Sequence, residues 1–291
     1  MRENPGPLLG AFTGNYTQWC RNSHILFVVC RVPSGKEVSV IKYFWSYQSD
    51  LPAGVGIPNF SVIHFCWLTM SFILILVTVL IYKRQKTLVR QRIQKTLVIL
   101  IAFLDVSRWV WAACIGHYSI VEMLPLHLCS LSVWLEMAAV FTGKPMLKEF
   151  GYALGMPGAL FSILTPDWGA YPFLSYQYLQ ASLGHTLLVM VPIIWVWGDG
   201  FRPDFRRLPK LFGALVMFAI PVALIDLLLG SNYLFLCEAP KDTPLELFEN
   251  WFGNPGYLFP VIILILIVWL ILYLPWIIKA RLHKPDEPGN A

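Results

Sequence analysis

Two histidines, His127 and His185, and four other ionisable groups, Asp105, Arg108, Glu136 and Asp226, sit inside long apolar stretches of the chain. Imidazole gains and loses protons near neutral pH without a large shift, so two histidines at similar depth suit general acid-base chemistry. On ideal helices at about 100° per residue, Ser130 lies about 60° from His127 and Ser182 about 60° from His185, whereas Cys129 points about 160° away from His127. Ser130 is therefore a candidate nucleophile, set against the common habit of membrane serines of bonding back to their own backbone. Asp105 and Arg108, spaced i,i+3, share a face, and the simplest expectation for them is an internal ion pair.

The elements that must position these groups are membrane helices. Of 291 residues, 57% are hydrophobic and only 13% are charged, about half the charged fraction of a soluble domain. Apolar stretches long enough to cross roughly 30 Å of hydrocarbon occur at 60–82, 96–116, 211–229 and 257–278, with more polar ones at 124–142, 146–164 and 178–198. The expectation is an all-α, polytopic bundle of about seven transmembrane helices. Charge inside a span costs at least about 2.5 to 3.5 kcal/mol at a helix centre on insertion scales, so the six buried ionisable groups mark interior sites. All but Glu136 fall in the outer half of the bilayer or near its middle, as a polar cavity open to the outer surface requires.

Basic loops fix the orientation. Lys83 to Lys95, Lys144 with Lys148, Arg202 to Lys210, and Lys279 to Lys284 hold 15 of the 22 basic residues, while the alternate loops hold only Lys241. The amino terminus is expected outside and the carboxyl terminus in the cytoplasm. This divides the chain into an extracytoplasmic segment 1–59, a transmembrane domain 60–278 and a cytoplasmic tail 279–291. No signal peptide is evident. Asn15-Tyr16-Thr17 and Asn59-Phe60-Ser61 are glycosylation patterns on the outer side. Cys20, Cys30 and Cys237 lie outside the spans, and three pairings, or none, remain open. No nucleotide-binding glycine loop or metal-spaced cysteine pair occurs, so neither cofactor nor metal is expected. The basic first loop reads as an anchor on anionic lipid rather than a nucleic-acid patch. Membrane lipids are the expected partners.

Leu124-Pro125-Leu126-His127-Leu128-Cys129, Gly158-Ala159-Leu160, Leu164-Thr165-Pro166-Asp167, Gly184-His185 and Gly230-Ser231-Asn232-Tyr233-Leu234-Phe235-Leu236 closely resemble, in order and spacing, the YwaF-like integral membrane proteins. The chain is more distantly similar to the family of animal transmembrane protein 164, which transfers acyl chains between phospholipids through a cysteine and a histidine. That resemblance implies catalytic roles for His127 and His185. The family's Pro-Cys-His-Leu stands here as Pro125-Leu126-His127-Leu128, so Leu126 replaces the cysteine on which the family's thioester route depends. Androgen-induced membrane hydrolases, a fold-level analogy, use a threonine and a histidine, by which Thr165 or Thr186 could serve.

The function expected is therefore an integral membrane acyltransferase or esterase acting on phospholipid acyl chains. His127 and His185 are its acid and base, with Asp105, Arg108, Ser130, Thr165, Asp226 and Asn232 as supporting candidates. Asn232, just past a span, either caps it or lines the cavity mouth. The same polar groups would also fit a proton or solute pathway or a membrane protein without catalysis. A seven-span receptor fits less well, since Asn254-Pro255-Gly256-Tyr257 precedes the last span. Trp and Tyr at 168, 171, 176, 178, 251 and 257 are expected to form an interfacial belt.

Overall fold

The computed structural model describes residues 29–31, 37–241 and 243–282. The Asn15-Tyr16-Thr17 pattern, Cys20 and the end of the basic tail lie outside the described residues. A short antiparallel ribbon, β1 (Val29–Arg31) against β2 (Glu37–Ser39), precedes the helices. Then come α1 (Val62–Lys83), α2 (Thr87–Cys114), the single turn α3 (Ile120–Met123) and α4 (Leu128–Thr142). Next, α5 (Pro145–Phe150) runs through a π-helical turn at Gly151–Gly155 into α6 (Met156–Leu164), and α7 (Tyr176–Ile193) runs into a second at Ile194–Gly198. The chain closes with α8 (Leu208–Leu229), α9 (Pro244–Phe252) and α10 (Leu258–Leu282).

Among the described residues, five helical stretches are long and apolar enough to cross a membrane: Val62–Lys83, Thr87–Cys114, Tyr176–Gly198, Phe205–Leu229 and Leu258–Lys279. The other two expected spans take different forms. The stretch 124–142 becomes the 15-residue α4, because Leu124 and His127 are extended and only Leu128 starts the helix. The stretch 146–164 becomes α5, a π turn and α6. A further difference lies at the first basic loop. Helix α2 starts at Thr87, so Arg90, Arg92 and Lys95 lie on its first turns, and the loop itself is three residues long.

α7 is the central helix. About 72% of its apolar window is buried, against 11–22% for the other four stretches, whose bare faces carry side chains such as Phe72, Phe103, Leu228 and Ile271. An exposed apolar surface of that extent fits lipid rather than water. Val98 and Ile101 of α2, Val133 of α4 and Ile163 of α6 pack with α7 from Leu187 to Trp195 into one core.

Polar clusters tie the two ends. At the basic end, the Asp199 carboxylate accepts from Tyr82 Oη at 2.6 Å and Gln94 Nε2 at 2.7 Å, joining α1, α2 and α7. Glu149, fully buried, accepts from Tyr273 Oη at 2.6 Å, Arg207 at 2.9 Å and the Asp204 amide at 3.0 Å, which attaches α8 and α10. A proline explains one more link. Pro157 brings no N–H to the carbonyl of Ala153 four residues earlier, and the Trp269 indole donates to that oxygen at 2.8 Å.

At the far end, residues 44–61 lie across the helix ends as a cap. Tyr176 N donates to Phe44 O at 2.9 Å, Trp111 Nε1 to Trp45 O at 3.2 Å, and Ile57 N to Gly169 O at 2.6 Å. Gly56 permits this, because a Cβ there would sit 2.5 Å from the Gly169 carbonyl oxygen, a backbone atom that cannot give way. The expected interfacial belt is corrected here. Trp168, Tyr171, Tyr178 and Tyr257 are buried, and of the six aromatic residues only Trp251 is fully exposed. The first three belong to the core beneath the cap. Outside the helical spans, burial also pushes the Tyr171 phenol up to about 12.

Candidate functional site

His127 and His185 line the same cavity, about 570 Å³ in volume, a size typical of small-molecule sites. The elements bring them there by different means. His185 sits on one face of α7 with Gln177, Ala181, Gly184 and Leu188, a spacing of i, i+4, i+7, i+8 and i+11 that keeps one stripe turned to the cavity. Its Nδ1 lies 2.7 Å from the Ala181 carbonyl oxygen. A carbonyl only accepts, so Nδ1 carries the hydrogen and the neutral ring keeps its lone pair on Nε2. Trp168 stacks on the imidazole at 4.7 Å and donates its own N–H to Ser182 Oγ at 2.9 Å, which fixes the plane of the stack.

His127 is the residue before α4, with extended dihedrals of φ −69° and ψ 149°. Its ring packs edge-on against Tyr233, at 5.1 Å and 65°, and against Phe235 at 5.3 Å. Tyr233 in turn holds the segment leading to His127: its hydroxyl donates to Ile120 O at 2.6 Å and accepts from Leu124 N at 2.9 Å. Asp226 secures Tyr233 from below. Its Oδ1 accepts from Ser231 Oγ at 2.6 Å and Tyr233 N at 2.9 Å. The Gly230 to Leu236 segment is thus a brace for a histidine, built on an aspartate.

Because His127 stands outside the helix, angles measured from it on an ideal helix do not apply. Cys129, expected to face away, lines the cavity with Ser130 and His127, and its Sγ lies 4.0 Å from Ser162 Oγ. Ser130 donates to Asp105 Oδ1 at 3.3 Å across α4 and α2. Asp105 Oδ2 is buried without a partner. The expected Asp105–Arg108 ion pair is not formed: Arg108 lines the cavity with no hydrogen bond or ion pair among the described residues.

Of the supporting candidates, Asp105, Arg108 and Ser130 therefore join the two histidines, and three do not. Thr165 ends α6 and donates back to Phe161 O at 3.1 Å, the helix-stop role its Pro-Asp sequel fits. Asn232 pins its own loop, accepting from Cys237 N and Glu238 N and donating to Glu238 O. Asp226 supports from behind, outside the cavity lining. Thr186 is also occupied elsewhere, donating to Ser182 O at 2.7 Å beside Ser71.

Other lining residues escaped the sequence reading. Asp167 of the Thr-Pro-Asp turn lines the cavity, and Gln177 and Gln180 each keep a buried carbonyl oxygen with no partner among the described residues. The signal for Gln177 was available in the helical register it shares with His185. His64, in α1, also went unremarked and is structural. It accepts from Phe60 N at Nδ1 and donates from Nε2 to Ile163 O, both at 2.9 Å.

Below the polar groups the cavity is apolar. Phe212, Leu215 and Val216 of α8 form one wall, and α10 forms another from Leu258 to Trp269, about 17 Å of helix at about 1.5 Å per residue. The arrangement pairs proton-transfer groups at one end with a long greasy pocket beneath. Residues 59–273 match the model of the TMEM164 family. None of the curated proteins and none of the solved structures matches the chain.

Proposed function

The chain belongs to the TMEM164 family, and from that premise we propose that it is a lipid-modifying enzyme, an acyltransferase or esterase, that works on phospholipid acyl chains with His127 and His185. Its apolar helices and its family make it an integral, multi-pass membrane protein. The observation that carries the reading is the meeting of both histidines in one cavity whose remaining depth is apolar. The resemblance to transmembrane protein 164 implies transfer of phospholipid acyl chains, here with a hydroxyl in place of the cysteine that Leu126 replaces.

In this reading the acyl chain lies along α8 and α10 and its ester reaches the polar groups. Ser130, hydrogen-bonded to Asp105, supplies the attacking oxygen. One imidazole takes the hydroxyl proton as Oγ bonds to the ester carbonyl carbon. The carbon–oxygen bond to glycerol then breaks, and the imidazolium returns the proton to the departing oxygen. Repeating the sequence with a second lipid hydroxyl gives transfer, and with water gives hydrolysis. The fixed Nδ1–H of His185 leaves Nε2 free for the proton.

The proposed topology has seven spans, with α4 and the α5–α6 pair added to the five long stretches. The basic end lies in the cytoplasm, and the cavity mouth, with residues 44–61, lies outside. The segment 1–59, the bundle 60–278 and the tail 279–291 keep their assigned sides. The test is incubation of purified protein with phospholipid labelled in one acyl chain. Labelled fatty acid or a labelled second lipid is expected, and neither product from active-folded protein would contradict the reading.

A further inference from the structure

Arg108 is a cation in the wall of an otherwise largely apolar cavity, and no described residue forms an ion pair with it. Asp105 and Asp167 line the same cavity without an ion pair to Arg108 among the described residues, and Asp105 Oδ1 takes the Ser130 hydrogen. The site thus holds a guanidinium that is in no ion pair among the described residues, where charge is costly. Guanidinium is also the side chain best shaped to bind phosphate oxygens in pairs.

Its position along α2 adds a second argument. Arg108 is six residues from the end of the helix at Cys114, about 9 Å of rise, and its long side chain can reach further towards the membrane surface. Three of the four cavity-lining residues of α2 descend in order, with Leu104 the fourth: Arg108, Asp105 with Ser130 bonded to it, and Ile101. They share one face, at i, i−3 and i−7. A phosphoglycerolipid standing in the bilayer presents the same sequence from surface to centre: phosphate, ester, hydrocarbon.

We infer that Arg108 binds the phosphate of a phosphoglycerolipid and so sets its ester beside Ser130 and Asp105. The inference rests on reading the cavity as a lipid site and names the group that recognises the head of the substrate. It makes Arg108 the residue that separates phospholipids from neutral glycerides, which lack the anion.

Binding without turnover tests this. Protein purified in a maltoside detergent is titrated with diheptanoyl phosphatidylcholine, with diheptanoylglycerol or with inorganic phosphate, read by tryptophan fluorescence, since Trp168 and Trp269 both line the cavity. Arg108→Gln is expected to weaken phosphatidylcholine binding about tenfold or more, the size of losing hydrogen bonds to a charged group. Its affinity for diheptanoylglycerol should stay unchanged, and Arg108→Lys, which keeps the charge, should recover part of the loss. Equal phosphatidylcholine affinity in wild type and Arg108→Gln overturns the inference and leaves the lipid-site reading standing. An equal loss for both lipids also overturns it, because it makes Arg108 structural. Inorganic phosphate that binds as tightly as phosphatidylcholine assigns the site to free phosphate and overturns it too. Failure of wild-type protein to bind either lipid overturns both readings together.

Discussion

His185 donates from Nδ1 to the carbonyl oxygen of Ala181, one turn earlier on α7, at 2.7 Å. The bond spends the ring's one hydrogen on the backbone and leaves Nε2 as the atom able to take a proton. Trp168 stacked on the ring holds its plane. A side chain with its tautomer and orientation both fixed is prepared for proton transfer, and the cavity it shares with His127 supplies the place.

If Ser130 supplies the attacking oxygen, Ser130→Ala removes acyl release, lowering the rate by a factor on the order of 10² or more. Thr165→Val leaves it near the wild-type value, because Thr165 lies off the cavity and bonds to Phe161 O. The comparison is made by rate of labelled fatty-acid release at saturating lipid. Loss in Thr165→Val with retention in Ser130→Ala would reverse the assignment.

Tyr233→Phe keeps the ring against His127 and deletes the hydroxyl that bonds Ile120 O and Leu124 N. Losing these two part-buried hydrogen bonds costs about 0.5–1.5 kcal/mol of stability each. Activity should fall further than stability explains, because the segment that carries His127 loses its brace. Thermal unfolding and acyl release measured on the same preparation check this, and unchanged activity in a destabilised variant would show that the brace does not serve the site.

Trp269 closes the apolar depth of the cavity, held by its bond to Ala153 O at 2.8 Å. Trp269→Phe shortens that floor and leaves the carbonyl without its donor, at about 1–3 kcal/mol. The preferred acyl chain should lengthen, as read from the products formed on an equal mixture of chain lengths. The same chain preference in both proteins would place the tail elsewhere.

Topology has its own consequence. Cys237, a free thiol in the loop after α8, should react with a membrane-impermeant maleimide on intact cells when it is the only cysteine. With Cys237 removed, Arg206→Cys, at the basic end, should react only after the membrane is opened. The opposite pattern inverts the proposed orientation.

The bundle was legible in the sequence because apolar runs and basic loops follow from the two most demanding terms in a bilayer, hydrocarbon length and charge. The same logic located His127, His185, Asp105 and Arg108 in one region. Angular reasoning failed at His127, since dihedrals at a helix entry are set by the turn before it, here by Tyr233 from more than a hundred residues away. That failure hid Cys129's place in the cavity. The Asp105–Arg108 pair was expected from spacing alone, which allows contact and does not require it. Asp226 and Asn232 were visible as polar residues at a span end, but which backbone groups they would satisfy depends on a loop fold that no periodicity encodes.

The central claim is that His127 and His185 act together on an acyl ester. The direct measurement is release or transfer of a labelled acyl chain by purified wild type, His127→Ala, His185→Ala and the double variant, each checked for an unchanged melting temperature. The account predicts that each single variant loses a factor of about 10²–10⁴, with the double variant at background. Full activity in the double variant would contradict it.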